Sequence, residues 1–145
     1  MLRKRRFTAL SEFRHELTRF HRFSEDAARS AGVTPAQYLL LLHLRGYPGR
    51  DWATIGDLAA RLQASHQSTV ALVQRCERKG WLGKKRSPED ARCVRVTLKA
   101  AGSAKVERIA ALHRDELDRL AGVLDAARAS GIRPNRAKVL PAHHA

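Results

Sequence analysis

In Thr54-Ile55-Gly56-Asp57-Leu58-Ala59-Ala60-Arg61-Leu62-Gln63-Ala64-Ser65-His66-Gln67-Ser68-Thr69-Val70-Ala71-Leu72-Val73-Gln74-Arg75-Cys76 two helical stripes follow one another. Ile55, Leu58, Ala59 and Leu62 recur at the i, i+3, i+4, i+7 spacing of one helix face, and Thr69, Leu72, Val73 and Cys76 repeat it. Thr54 and Ser65 precede the two stripes, each with an oxygen that can accept an orphan N–H of a first turn, and Asp57 lies in the first of those turns. Only Gln63-Ala64 joins the pair, and Lys79-Gly80 closes the second helix with a basic turn and a glycine stop. Two short capped helices on so tight a link predict a helix-turn-helix.

Working outward, the period changes from helical to alternating. Trp81 to Arg86 and Cys93 to Leu98 read as two strands, with Val94, Val96 and Leu98 alternating against Cys93, Arg95 and Thr97. Ser87-Pro88-Glu89-Asp90-Ala91-Arg92 is a polar turn between them, so a hairpin, or wing, follows the second helix directly. With Thr69, Leu72, Val73 and Cys76 inward, that helix presents His66, Gln67, Val70, Ala71, Gln74 and Arg78 outward, with Ser65 and Ser68 at its start and Arg75 beside them. The apolar members are small enough to approach base edges and thymine methyls, and the polar ones can hydrogen-bond bases. A solvated helix face would look the same in isolation. The wing tips the balance: Arg75, Arg78, Lys79, Lys84, Lys85, Arg86, Arg92, Arg95 and Lys99 are opposed only by Glu77, Glu89 and Asp90. Protecting strand edges from aggregation does not call for so much positive charge, whereas contact with phosphates or a minor groove does.

The flanks are helical. Phe7, Leu10, Phe13, Leu17 and Phe20 mark one stripe of a first helix that ends near Ser30-Ala31-Gly32. Thr34-Pro35-Ala36-Gln37 has the form of a capping box with proline at the first helical position, opening a helix to Arg45 whose Tyr38-Leu39-Leu40-Leu41-Leu42 run suits the buried centre. From Ala100 to Ala129 a single long helix is expected, with Val106, Ala110, His113, Leu117, Leu120, Leu124 and Ala127 spaced alternately four and three apart. That 3.5-residue period marks lengthwise packing on another helix. A homodimer is therefore expected, held by Val106, Leu117, Leu120 and Leu124 with Phe7, Leu10 and Phe13; packing on the first helix of the same chain is the alternative. The resulting plan is mainly α with a small β wing. Residues 1–32 form an N-terminal helix in the dimerisation region, 33–99 a winged helix-turn-helix DNA-binding domain, 100–130 a long dimerisation helix, and 131–145 a basic, flexible tail.

Composition bounds the function. The 145 residues carry 28 Lys+Arg against 14 Asp+Glu, a formal charge of +14, and 43% of them are hydrophobic. Such a balance attracts polyanions, double-stranded DNA first among them, with an anionic membrane surface as the rival. The apolar run from Tyr38 to Leu42 falls far short of the roughly 20 residues that span a bilayer. Arg3-Lys4-Arg5-Arg6 is followed by no continuous apolar stretch of the kind an export signal needs. With two isolated cysteines, Cys76 and Cys93, a cytoplasmic location with free thiols is expected. No GxSxG, P-loop or dinucleotide fingerprint occurs, and the seven histidines form neither HExxH nor a Cys/His cluster. No enzyme activity, cofactor or metal is expected.

The order of motifs from Gly32 to Gly102 resembles the MarR family of transcription regulators. The matching pieces are Val33-Thr34-Pro35-Ala36-Gln37-Tyr38, Leu58-Ala59-Ala60-Arg61-Leu62, Ser65 to Arg75, Lys79-Gly80-Trp81-Leu82, Pro88-Glu89-Asp90-Ala91-Arg92 and Val94 to Gly102. The resemblance implies a triangular dimer whose terminal helices form the interface and whose winged domains bind successive major grooves of a near-palindrome. It implies that Arg92, at the wing tip, enters the minor groove while Asp90 helps hold the turn; independently, a carboxylate so close can orient a guanidinium by charge-assisted hydrogen bonds. It further implies release by a small, often phenolic or carboxylate effector between the dimer helices and the DNA-binding lobe, for which Phe13, Leu17, His21, Tyr38, His43 and Trp52 are candidates, although aromatic and Leu residues at helical spacing commonly serve as packing. The chain departs from the family in Lys99, where Thr or Ser often caps the long helix, and in lacking a clear second C-terminal helix after Ala129. Two other readings stay open: a non-specific architectural DNA binder, and a thiol-redox-responsive regulator with Cys93 as the better-placed thiol.

Overall fold

The computed structural model describes residues 3–131 and comprises α1 (Lys4–Ser30), α2 (Pro35–Arg45), β1 (Trp52–Thr54), α3 (Ile55–Leu62), α4 (His66–Arg78), β2 (Leu82–Arg86), β3 (Val94–Leu98), α5 (Ala100–Ala111) and α6 (Arg114–Ala129). By contacts the chain divides into two compact units, Phe23–Arg114 and the combination of Met1–Arg22 with Asp115–Ala145. The divisions fall within α1 and at the first residue of α6. Of the tail expected beyond residue 130, only Gly131 is described; the rest lies outside the described residues. Among those residues no helix is long and apolar enough to cross a membrane, and no group of three or more His, Cys, Asp or Glu could hold a metal ion.

The larger unit is built on α2. Leu40, Leu41 and Leu44 are fully buried or nearly so, packed in one cluster with Leu58 of α3, Val73 and Cys76 of α4, Leu82 and Val96 of the sheet, and Val106 and Ile109 of α5. Leu39 is the exposed member of the leucine run, because four successive helical residues cannot share one face. The Thr34 hydroxyl accepts from Gln37 N while the Gln37 side chain accepts from Thr34 N, completing the expected capping box.

The sheet has three antiparallel strands in the order β1-β3-β2. β2 and β3 form the expected hairpin, with Leu82 opposite Leu98 and Arg86 opposite Val94. β1 had no sequence signal, since three residues are too few to display an alternation; it pairs Trp52 with Thr97 and Thr54 with Arg95. Gly102 packs so closely beneath the Trp81 carbonyl that any Cβ there would collide with it, and the same carbonyl accepts Lys99 N at 3.0 Å.

The single long C-terminal helix does not exist as such. It breaks at Leu112-His113, where Leu112 N and His113 N turn to the carbonyls three residues back, Ile109 O and Ala110 O. Such tightening ends a helix. The buried His113 ring bonds through Nδ1 to Ile109 O at 2.8 Å, stacks on Tyr38 and meets Phe23 edge-on. α5 and α6 are two helices within 100–129, where one was expected; the expectation that no further helix follows Ala129 falls, beyond Gly131, outside the described residues. The break also removes Val106 from the interface set. That side chain is 3% exposed within its own unit and has no surface left for a second copy. Lys99 precedes α5 without a side-chain cap, as its chemistry dictates.

In the smaller unit, Ala9 and Glu12 of α1 and Arg119, Gly122, Val123, Ala126 and Ala127 of α6 line a cavity of about 360 Å³. Phe7, Leu10, Leu117 and Leu124 are exposed, Phe7 and Leu117 by more than half, while Phe13 and Leu120 are half-buried.

Candidate nucleic-acid interface

Local chemistry sets up α3 and α4 as the sequence predicts. Thr54 and Asp57 form a capping box on α3, the Thr54 hydroxyl accepting from Asp57 N and the Asp57 carboxylate from Thr54 N. Burial pushes the Asp57 carboxyl up, but those Thr54 bonds, the Arg50 guanidinium and the Tyr47 hydroxyl outweigh it and hold the group below the usual carboxylate range. α3 ends on Gln63 in the left-handed region, φ 51°, which turns the chain within two residues. The Ser65 hydroxyl then accepts from Ser68 N at 3.1 Å and donates to Ser68 Oγ at 2.8 Å. No acidic residue occupies the first turn of α4, so the positive end of its dipole is left for an external anion.

Thr69, Val73 and Cys76 are buried and Leu72 half-buried, which fixes the rotation of α4. His66, Gln67, Ser68, Gln74, Arg75 and Arg78 are exposed as a consequence, and the small Val70 and Ala71 are half-exposed among them. The hairpin starts at once after this helix. Trp81 N donates to Cys76 O, and Lys84 pairs with Glu77 at 3.3 Å, tying β2 to α4. Lys85, Arg86, Asp90 and Arg92 are exposed along the wing, so every side chain expected to meet DNA except the half-exposed Val70 and Ala71 is accessible, on α4 or on the hairpin beside it.

Asp90 holds the wing turn, but through backbone amides. Asp90 does not pair with the Arg92 guanidinium among the described residues; its Oδ1 accepts the backbone N–H of Arg92 at 3.0 Å, while its carbonyl accepts Cys93 N. A carboxylate two residues before an amide closes a local turn by this route. The Arg92 side chain is exposed and has no ion-pair partner among the described residues.

The six candidate effector contacts are not assembled around one cavity within a unit. Phe13, Leu17 and His21 belong to the smaller unit, Tyr38, His43 and Trp52 to the larger. None of the six lines the cavities at α2–α4, at the start of α5, or at α1–α6. Tyr38 is a core residue stacked on His113. Burial and the nearby Arg61 lower the His43 pKa. Trp52 has guanidinium groups over its ring, those of Arg50 and Arg95. Of the thiols, Cys76 is buried and burial pushes it up to about 11, which disfavours its thiolate, and Cys93 is exposed with its Sγ 3.8 Å from Asp90 Oδ2.

Likeness to known proteins follows the same segment. A family model described as MarR family matches residues 31–92. No curated protein matches the chain. Among solved structures, a MarR family transcription regulator shares 29% identity at a TM-score of 0.65, over 82% of this chain and 75% of that one. A mutant MarR from E. coli complexed with operator DNA aligns at TM-score 0.64 and 20% identity, covering 83% and 90%. BpsR of Bordetella bronchiseptica, whose DNA binding is regulated by 6-hydroxynicotinic acid, aligns at TM-score 0.61 and 18% identity, covering 83% and 91%. At the two lower identities the likeness speaks for the fold alone. Together with the ordered motifs from Gly32 to Gly102 and the observed winged helix, these matches make the chain similar to the MarR family of winged helix-turn-helix transcription regulators.

Proposed function

We propose that this protein binds double-stranded DNA sequence-specifically as a homodimer, represses transcription from a near-palindromic operator, and is released by a small aromatic or carboxylate effector. One observation carries the DNA-binding part: α4 turns an exposed polar face outward beside a hairpin whose Lys85, Arg86 and Arg92 side chains have no ion-pair partner among the described residues. Unpaired cations are available to phosphates, and the polar groups of the helix to base edges. The exposed apolar side chains of α1 and α6 support self-association. The effector rests on analogy with BpsR, and Phe13, Leu17, His21 and His43 keep accessible surface for it.

Selection of duplexes from a random pool tests this function. An enriched motif with two inverted half-sites is the expected outcome. A pool retained without enrichment would favour a non-specific architectural binder.

A further inference from the structure

Trp52, one of the candidate effector contacts, carries guanidinium groups against its ring. The Arg50 guanidinium carbon lies 4.0 Å from the indole centroid and that of Arg95 lies 3.9 Å from it. Two planar cations this close cannot share one face without overlapping, so the indole is held between them. Arg50 also lies over the Tyr47 ring at 4.6 Å and pairs with Asp57 at the start of α3. Arg61 of α3 approaches the other aromatic, Tyr47, at 5.5 Å. At the far end, Arg95 on β3 reaches Glu89 in the wing turn at 4.0 Å. The contacts therefore form one chain: α3, Tyr47, Arg50, Trp52, Arg95, Glu89.

We propose that Trp52 is a positioning residue for the wing, clamped between Arg50 and Arg95 so that the hairpin turn carrying Arg92 is braced against the first helix of the helix-turn-helix. A two-stranded hairpin is marginally stable by itself, and residues 84–86 and 88–93 are exposed, so no core packing steadies the distal part. β1 supplies a third strand only opposite Arg95 to Thr97. Side-chain contacts must do the rest, and stacked guanidinium–aromatic pairs suit a surface site because they persist in partial contact with water. Arg95 serves this end from a largely buried position; its side chain is 24% exposed, which makes it a brace in preference to a phosphate ligand. The inference rests on the DNA-binding function proposed above.

The test compares Trp52→Leu and Trp52→Phe, each alone and combined with Arg92→Ala. The DNA probe is a duplex selected by the wild-type protein from a random pool, and binding is measured at roughly 0.15 M salt. Trp52→Leu removes the π faces, and an about tenfold loss of affinity is expected. In the Arg92→Ala background the same change should cost less than about twofold, since a brace matters only while the braced side chain is there. Trp52→Phe, which keeps an aromatic face, should recover most of the affinity. Without DNA, hydrogen exchange at the Ser87, Arg92 and Cys93 amides should quicken in Trp52→Leu while the α4 amides stay as they were. Unchanged exchange in the turn, faster exchange throughout the unit, or an equal loss with and without Arg92 would overturn the inference. If no duplex is enriched by the wild type, the DNA-binding function fails, and the exchange measurement still decides whether the clamp braces the hairpin.

Discussion

His66 and Gln67 stand in the exposed first turn of α4, where a recognition helix makes its base contacts, and Lys84 and Lys85 stand on the wing. Their substitutions should differ in kind. His66→Ala or Gln67→Ala should alter the preferred sequence more than the total affinity. Lys85→Ala should weaken all sequences alike and flatten the salt dependence by about one unit for a lost phosphate contact. Lys84→Ala should do less, because Lys84 is already paired with Glu77. Affinities for a panel of duplexes over a salt series separate the two classes, and identical behaviour would mean that the wrong face of α4 has been assigned. The outward set on α4 was legible in the sequence because a four-residue apolar stripe fixes the rotation of a helix. The role of Asp90 was only half legible. Its spacing from Arg92 allows either a side-chain or a backbone bond, and the choice depends on the turn conformation.

At the level of elements, caps and stripes carried most of the information. Thr34, Thr54 and Ser65 each accept the predicted N–H, and the helices begin where these oxygens place them. Ser65→Ala should cost about 1 kcal/mol of stability, read as a lower denaturation midpoint with unchanged slope, and Ser65→Asp should recover it. A full recovery by Ser65→Val would show that the hydroxyl is not the cap. The C-terminal stripe was misleading for a physical reason. Its 3.5-residue period runs in the sequence through Leu112-His113, where the helix breaks, and its parts do different work. Val106 and His113 are buried in the larger unit, whereas Leu117 and Leu124 belong to the smaller unit and are exposed. Periodicity reports that a face is apolar and not what covers it. β1 and the Arg50–Trp52–Arg95 stack were invisible for another reason: they join residues far apart in the chain through contacts that no local pattern encodes.

Over the whole molecule, the charge of +14 and the exposed apolar surfaces of α1 and α6 point to two kinds of partner, a polyanion and a second copy. A dimer would place two recognition helices on successive major grooves, about 34–36 Å apart. Leu117→Glu with Leu124→Glu tests the assembly cleanly, because both side chains are exposed within the single chain and their replacement leaves its core intact. Sedimentation at micromolar concentration should show a monomer with an undisturbed melting transition and much weakened operator binding. A folded dimer with normal binding would place the interface elsewhere.

The most direct test of sequence-specific recognition is the affinity of the wild-type protein for its selected duplex and for a scrambled duplex of the same length, measured over a range of salt. At physiological salt the expected ratio is about a thousandfold or more, with both affinities falling as salt rises because cationic side chains displace counterions from the phosphates. A ratio near one at every salt concentration would contradict recognition by α4 and leave only a basic surface that binds DNA of any sequence.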